Sequence, residues 1–157
     1  MGKVKSILVV CTGNSCRSVM AEGLLKKYLK EAGKEYIKVE SAGIMAIDGF
    51  PSTNEAIEVM KGEGIDISKH RSRRITADLI SKSDLILAME GAHKAFVIRL
   101  DPMAESKVYL LKKYGMENKR KYPEGDGIPD PIGRPMDFYK LSLQIIKEEV
   151  ERITKLL

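Results

Sequence analysis

Cys11, Arg17 and the small residues between them, Thr12-Gly13-Asn14-Ser15-Cys16, carry the clearest chemical signal in the chain. They follow a short apolar run, Ile7 to Val10, with the length and branching of a buried strand, and they precede an amphipathic helix pattern. A strand that passes through a loop into a helix turns several backbone N–H groups and the positive end of the helix dipole towards one point. That point suits an anion. Cys11 at the mouth of such a loop is expected to react as the thiolate, because the amides, the dipole and Arg17 all favour S⁻ over SH. Arg17 adds a planar fork of donors able to grip two phosphoryl oxygens at once. Gly13 and Asn14 tolerate the left-handed backbone that a tight loop demands. Ser18, just past Arg17, can donate a hydrogen bond to the sulfur.

Such a loop needs a scaffold, and the hydrophobic pattern supplies one. Strands are expected over 7–10, 36–41, 84–89 and 107–111, with helices over 19–32, 53–61 and 91–100 and a short one over 76–80. Ser52-Thr53-Asn54-Glu55 has the form of a capping box for the second of these. A last helix over 137–157 is expected to start on an Asp137 cap, and its stripe Tyr139, Leu143, Ile146, Val150, Ile153, Leu157 reads as core packing. Strands alternating with helices imply an α/β fold of three layers, a parallel sheet covered on both faces. Between 112 and 136 the pattern collapses into a long connector rich in Gly, Pro and charge.

At 157 residues and 43% hydrophobic content the chain can form one compact core, so a single domain over 1–157 is expected. No apolar run approaches membrane-spanning length and the first residues lack a signal-peptide layout, which predicts a cytoplasmic protein away from membranes. Two cysteines fit a reducing compartment better than a disulfide framework. The net charge of +5 attracts anions, which suits a phosphorylated substrate but equally a nucleic acid bound through Lys69 to Arg74 and Lys119 to Lys121. Cys11, Cys16, His70 and His93 lack zinc-finger spacing, and no Gly-Lys-Ser/Thr follows Gly13, so no metal and no cofactor is expected.

The run Cys11-Thr12-Gly13-Asn14-Ser15-Cys16-Arg17-Ser18, followed by Met20-Ala21-Glu22, resembles the signature of the low-molecular-weight protein tyrosine phosphatases. The likeness extends to Ser41-Ala42-Gly43, His70 to Arg73 and Asp130-Pro131. It implies a flavodoxin-like, four-stranded parallel sheet of order 2-1-3-4, whose ligand crevice lies beside strand 1. It also implies that Cys11 forms a cysteinyl-phosphate, that Arg17 clamps the phosphate, and that Asp130 acts as general acid and then base. Thr12 to Ser18 would form the phosphate loop, with Ser41 and His70 supporting it near Asn14. The partner would be a phosphorylated protein, and the chain a monomer. Cys16 remains open to two readings: a small buried hydrophobe, or the redox partner that some family members pair with the nucleophile.

Several residues depart from the tyrosine-specific members. Val19 replaces a proline that only pre-sets the helix start. Ser15 stands where an aliphatic residue is usual, and Ile132-Gly133 follows Asp130-Pro131 where aromatic residues normally wall the phenol ring. Both features resemble the protein-arginine phosphatase branch, leaving phosphotyrosine and phosphoarginine as competing substrates. Met45, Ile47 and Phe50, on the irregular segment before Ser52, either line a cleft or cover the core. Ser41 is open in the same way, as a loop support or a plain strand-end serine. Arsenate reductases of similar fold need relay cysteines beyond Cys16, which this chain lacks.

Overall fold

The computed structural model describes residues 3–116 and 125–157, so the basic stretch Lys119 to Lys121 lies outside the described residues. Four parallel strands, β1 (Ser6–Cys11), β2 (Lys38–Gly43), β3 (Leu85–Ala88) and β4 (Val108–Leu110), form one sheet in the order β2-β1-β3-β4. Its order and direction are those the family resemblance implied. The helices are α1 (Arg17–Glu31), α2 (Asn54–Lys61), α3 (Ala77–Lys82), α4 (Gly91–Leu100) and α5 (Met136–Thr154), with a 3₁₀ turn at Pro102–Ser106.

Alternation along β1 explains the three layers. Ile7, Val9 and Cys11 belong to the core shared with α1 and α5, where Met20, Leu24, Tyr139, Ile146 and Val150 pack. Leu8 and Val10 point the other way, onto Ile80, Val97 and Ala104. Each fully buried large aliphatic contributes about 1.5–3 kcal/mol relative to leaving it exposed, so both faces of the central strand are committed. That fixes register: Val9 lies opposite Ser41 on one side and Leu87 on the other.

Most element ends shift from expectation by one to three residues, α1 for example starting at Arg17, and three of the shifts have a clear local reason. α5 begins at Met136 with Pro135 as its cap, not on Asp137, which sits in the first turn and stabilises the helix through the dipole instead. The second helix is capped by Thr53, whose hydroxyl accepts from Ala56 N at 3.3 Å, so the capping box beginning at Ser52 does not form. β2 runs two residues further than expected, because Ala42 and Gly43 pair with Val10 and Cys11 instead of turning away. Gly43 permits this: a Cβ there would lie 2.5 Å from Thr12 O and 2.9 Å from Asn14 N. The strand end and the loop touch backbone to backbone.

Candidate active site

The site is assembled at the carboxyl ends of β1, β2 and β3. β1 delivers Cys11, buried at 3% exposure, and the chain then doubles back through Asn14, which adopts φ +54°. Asparagine tolerates that conformation, and here it swings the Asn14 N–H to within 3.3 Å of Cys11 Sγ. Ser18 Oγ lies 2.9 Å from the same sulfur. Asn14 Nδ2 donates to Ser18 Oγ at 2.9 Å, so the serine keeps its own proton for the sulfur. The Asn14 N–H and the Ser18 hydroxyl can both donate to Sγ.

Behind the loop, every polar atom of the Asn14 side chain is engaged. Nδ2 also donates to Ser41 Oγ at 2.9 Å, and Oδ1 accepts from Arg73 N at 3.0 Å. Asn14 O faces His70 Nε2 at 3.0 Å; a carbonyl only accepts, so His70 is the donor. Ser41 passes its proton to Glu22, which Lys26 holds at 2.6 Å. Arg73 also donates to Ser41 O at 2.9 Å and pairs with Glu40. Lys38 and Arg73 together hold the Glu40 carboxyl below the usual carboxylate range. A groove of about 960 Å³ opens beside this network between α1 and β2, lined by Glu22, Ser41, His70 and Arg73 but by no residue of the loop.

On the opposite side stands Arg17, 2% exposed despite its charge. Nη1 donates to Ile128 O at 2.7 Å and meets Glu90 Oε2 at 3.1 Å, while Nη2 lies 3.5 Å from Thr12 Oγ1 and 3.6 Å from Asp130 Oδ2. The segment bearing Asp130 is anchored from three directions: Ile128 N donates to Met89 O at 2.8 Å, Ser142 Oγ to Pro129 O at 3.0 Å, and Lys112 Nζ to Gly125 O at 3.0 Å. Asp130 Oδ1 accepts from Ile132 N at 3.1 Å, which turns Oδ2 towards Arg17.

Glu90 and His93 are functional candidates that inspection of the sequence passed over. Glu90 follows β3 and caps α4, at the sheet edge where ligands of such folds bind; that position was the available signal. Its backbone N–H donates to His93 Nδ1 at 3.1 Å, so the neutral ring carries its proton on Nε2, 2.8 Å from Thr12 Oγ1. Burial, reinforced by the Arg17 guanidinium, pushes the His93 pKa down to about 4.

Cys16 Sγ lies 3.4 Å from Thr53 Oγ1 and 3.7 Å from Tyr139 OH, and both cysteines are free. Burial pushes the Cys16 thiol up. Ser15 Oγ faces Cys16 Sγ at 3.7 Å, a weak contact that leaves the hydroxyl available. Gly13 completes the loop without a positive φ. Met45 N and Ile44 N donate to Thr12 O and Cys11 O, tying the following segment to the loop. Ile44 and Ala46 of that segment pack inward, but Met45, Ile47 and Phe50 do not cover the core, being 63%, 70% and 57% exposed, and Ile132 on the segment after Asp130 is 53% exposed. Among the described residues no group of three or more His, Cys, Asp or Glu gathers to hold a metal, and no helix is long and apolar enough to cross a membrane.

Known proteins share this arrangement over nearly the whole chain. The family profile described as low molecular weight phosphotyrosine protein phosphatase matches residues 6–157. The chain is 38% identical to a probable low molecular weight protein-tyrosine-phosphatase, EpsP, of Ralstonia nicotianae, over 94% of this chain and 92% of that one. It is 34% identical to the protein-arginine-phosphatase of Bacillus subtilis, over 95% and 94% respectively. The solved structure of a YwlE arginine phosphatase mutant with a phosphorylated active-site serine superposes with a TM-score of 0.88 at 32% identity, covering 97% of this chain and 95% of the other. With its cysteine loop, its sheet order and its end-to-end likeness to these proteins, the chain belongs to the low molecular weight phosphotyrosine protein phosphatase family.

Proposed function

We propose that the protein removes phosphate from phosphorylated protein side chains, phosphotyrosine foremost, by two transfers through Cys11. In the first, Cys11 S⁻ attacks phosphorus in line, the S–P bond forms, and the bond to the leaving oxygen breaks as that oxygen takes a proton from Asp130. In the second, Asp130 takes a proton from water, the water oxygen attacks phosphorus, and the S–P bond breaks to release phosphate and restore the thiolate. Loop amides and Arg17 stabilise the charge on the equatorial oxygens. The observation that carries this reading is the convergence of Ser18 Oγ at 2.9 Å and Asn14 N at 3.3 Å on one sulfur, with Arg17 spanning from the loop to Asp130. Cys16, buried against Tyr139 and Thr53, supports the loop.

A phenol ring is favoured by the exposed apolar residues Met45, Ile47 and Phe50 on the segment tied to the loop and Ile132 on the segment after Asp130. Phosphoarginine is the second reading, supported by the Ser15 hydroxyl, whose only polar contact among the described residues is weak, and by Ile132-Gly133 in place of aromatic residues. A hydroxyl can hydrogen-bond a guanidinium, whereas losing an aromatic wall removes about 0.5–1.5 kcal/mol of stacking. The deciding experiment is kinetic profiling on phosphotyrosine and phosphoarginine proteins with wild type, Cys11→Ser and Ser15→Ile. Turnover that vanishes in Cys11→Ser and favours phosphotyrosine is the expected result; preference for phosphoarginine that Ser15→Ile reverses installs the second reading. Salt-sensitive binding of anions without turnover would instead mark a basic binding protein.

A further inference from the structure

We infer that the Thr12 side chain is a substrate contact in its own right, a hydrogen-bond donor aimed at a phosphoryl oxygen by the buried imidazole of His93. The inference rests on the reading of the loop as a phosphoryl-transfer site and adds two working residues to it. A hydroxyl offers two acceptor lone pairs and one proton. His93 Nε2, fixed as a donor because Nδ1 accepts the Glu90 N–H, occupies one lone pair of Thr12 Oγ1 at 2.8 Å. Arg17 Nη2, which can only donate, lies against the other at 3.5 Å. With both lone pairs facing donors, the hydroxyl proton is left over, and it has no acceptor among the described residues. Thr12 directly follows the nucleophile, and the Nη2 that it faces also faces Asp130 Oδ2 at 3.6 Å. The spare proton therefore sits beside the guanidinium edge where a tetrahedral oxyanion is gripped.

His93 is suited to this task. It is 1% exposed, held at the start of α4, and among the described residues its ring makes polar contacts with the Glu90 backbone, the Glu90 carboxylate and Thr12. The charged groups around it are Arg17, Glu90 and Asp130, and the net outcome of burial and Arg17 against the two carboxylates keeps the ring neutral down to about pH 4. A neutral ring has one donor and one acceptor, so its protein contacts dictate which way the threonine hydroxyl turns.

The test uses hydrolysis of an aryl phosphate and inhibition by inorganic phosphate. Thr12→Val should lower kcat/KM about tenfold and weaken phosphate inhibition, while Thr12→Ser should stay within about twofold of wild type. His93→Asn places an amide oxygen near the position of Nδ1, keeping the Glu90 N–H satisfied, but cannot reach Thr12; it should reproduce the Thr12→Val loss with little change in melting temperature. His93→Gln reaches Thr12 but not the cap, and should retain activity while melting earlier. In the double variant Thr12→Val with His93→Asn the losses should not add. Additive losses, or full activity in Thr12→Val while Cys11→Ser is inactive, overturn this inference alone; turnover surviving in Cys11→Ser overturns the phosphoryl-transfer reading beneath it. If His93→Asn does not fold, the contrast between Thr12→Val and Thr12→Ser decides.

Discussion

The two sides of the phosphate loop are built on opposite terms. Behind it, Asn14 has spent everything: its amide reaches Ser18, Ser41 and Arg73, its carbonyl accepts from His70, and its N–H points at Cys11. In front, donors outnumber the acceptors that suit them. Arg17 leans on Ile128 O and two partly exposed carboxylates, and Thr12 retains an unpaired proton. The back fixes the shape of the loop before anything binds, and the front holds the unspent capacity that an oxyanion can satisfy. Preorganised donors stabilise developing charge without having to reorient, so this division between a satisfied back and an unsatisfied front is what catalysis by electrostatics requires. It follows that front substitutions should change rates and back substitutions should change stability.

The sharpest challenge to that division is Arg17→Lys. An ammonium keeps the charge but loses the planar fork, and it cannot hold Ile128 O and a phosphoryl group together. The expected loss in kcat/KM is about a thousandfold, at the upper end of what deleting one oxyanion donor does. A loss under tenfold in steady-state assays would mean the loop amides carry the anion alone.

A pH measurement probes the front from its outer edge. The His93 pKa lies near 4 in the folded chain against about 6.5 when unfolded, so between those values the unfolded state binds the extra proton. Folding stability from this residue is therefore fully present above about pH 6.5 and declines as the pH falls towards 4. Taking the shift as it stands, the decline amounts to about 3 kcal/mol. Denaturant unfolding of wild type and His93→Asn across that window measures it as the difference in slope. Parallel curves would show that the imidazole is not held neutral and would weaken its role in orienting Thr12.

What the residues alone revealed lies close together along the chain, whereas the family resemblance supplied the distant ones, Ser41 and His70 beside Asn14 and Asp130 beside Arg17. Cys11 and Arg17 share one short loop, and the α5 stripe from Tyr139 to Ile153 repeats at helical spacing, so both were legible. Glu90 and His93 were not, because they meet Arg17 and Thr12 respectively only through the pairing of β1 with β3, and nothing local marks a histidine as facing a loop some eighty residues away. Gly43 is a similar case: its close approach to Thr12 O and Asn14 N is a property of the strand end and the loop together. Arg73 was hidden inside a basic run of which Arg71 and Arg74 are exposed, so composition could not separate the cation that reaches Asn14, Ser41 and Glu40 from its neighbours. The caps of α2 and α5 slipped by a residue or two because serine, threonine, aspartate and proline all suit that position, and tertiary packing chose among them.

The gentlest intervention, Ser41→Ala, asks whether the back is only a scaffold. Ser41 is 2% exposed, accepts from Asn14 Nδ2 and donates to Glu22. Removing the hydroxyl leaves one amide proton of Asn14 without its acceptor and Glu22 with Lys26 as its remaining partner, a loss of about 1–2 kcal/mol of folding stability. Asn14 keeps Ser18, Arg73 and His70, so its left-handed backbone and the aim of its N–H at Cys11 should survive. Chemical denaturation should therefore register the change while kcat/KM stays within about threefold of wild type. If instead the rate fell more than tenfold at unchanged stability, the hydrogen-bond chain from Glu22 through Ser41 and Asn14 to Ser18 would be tuning the sulfur itself, and the line drawn between a structural back and a chemical front would have to be moved behind β2.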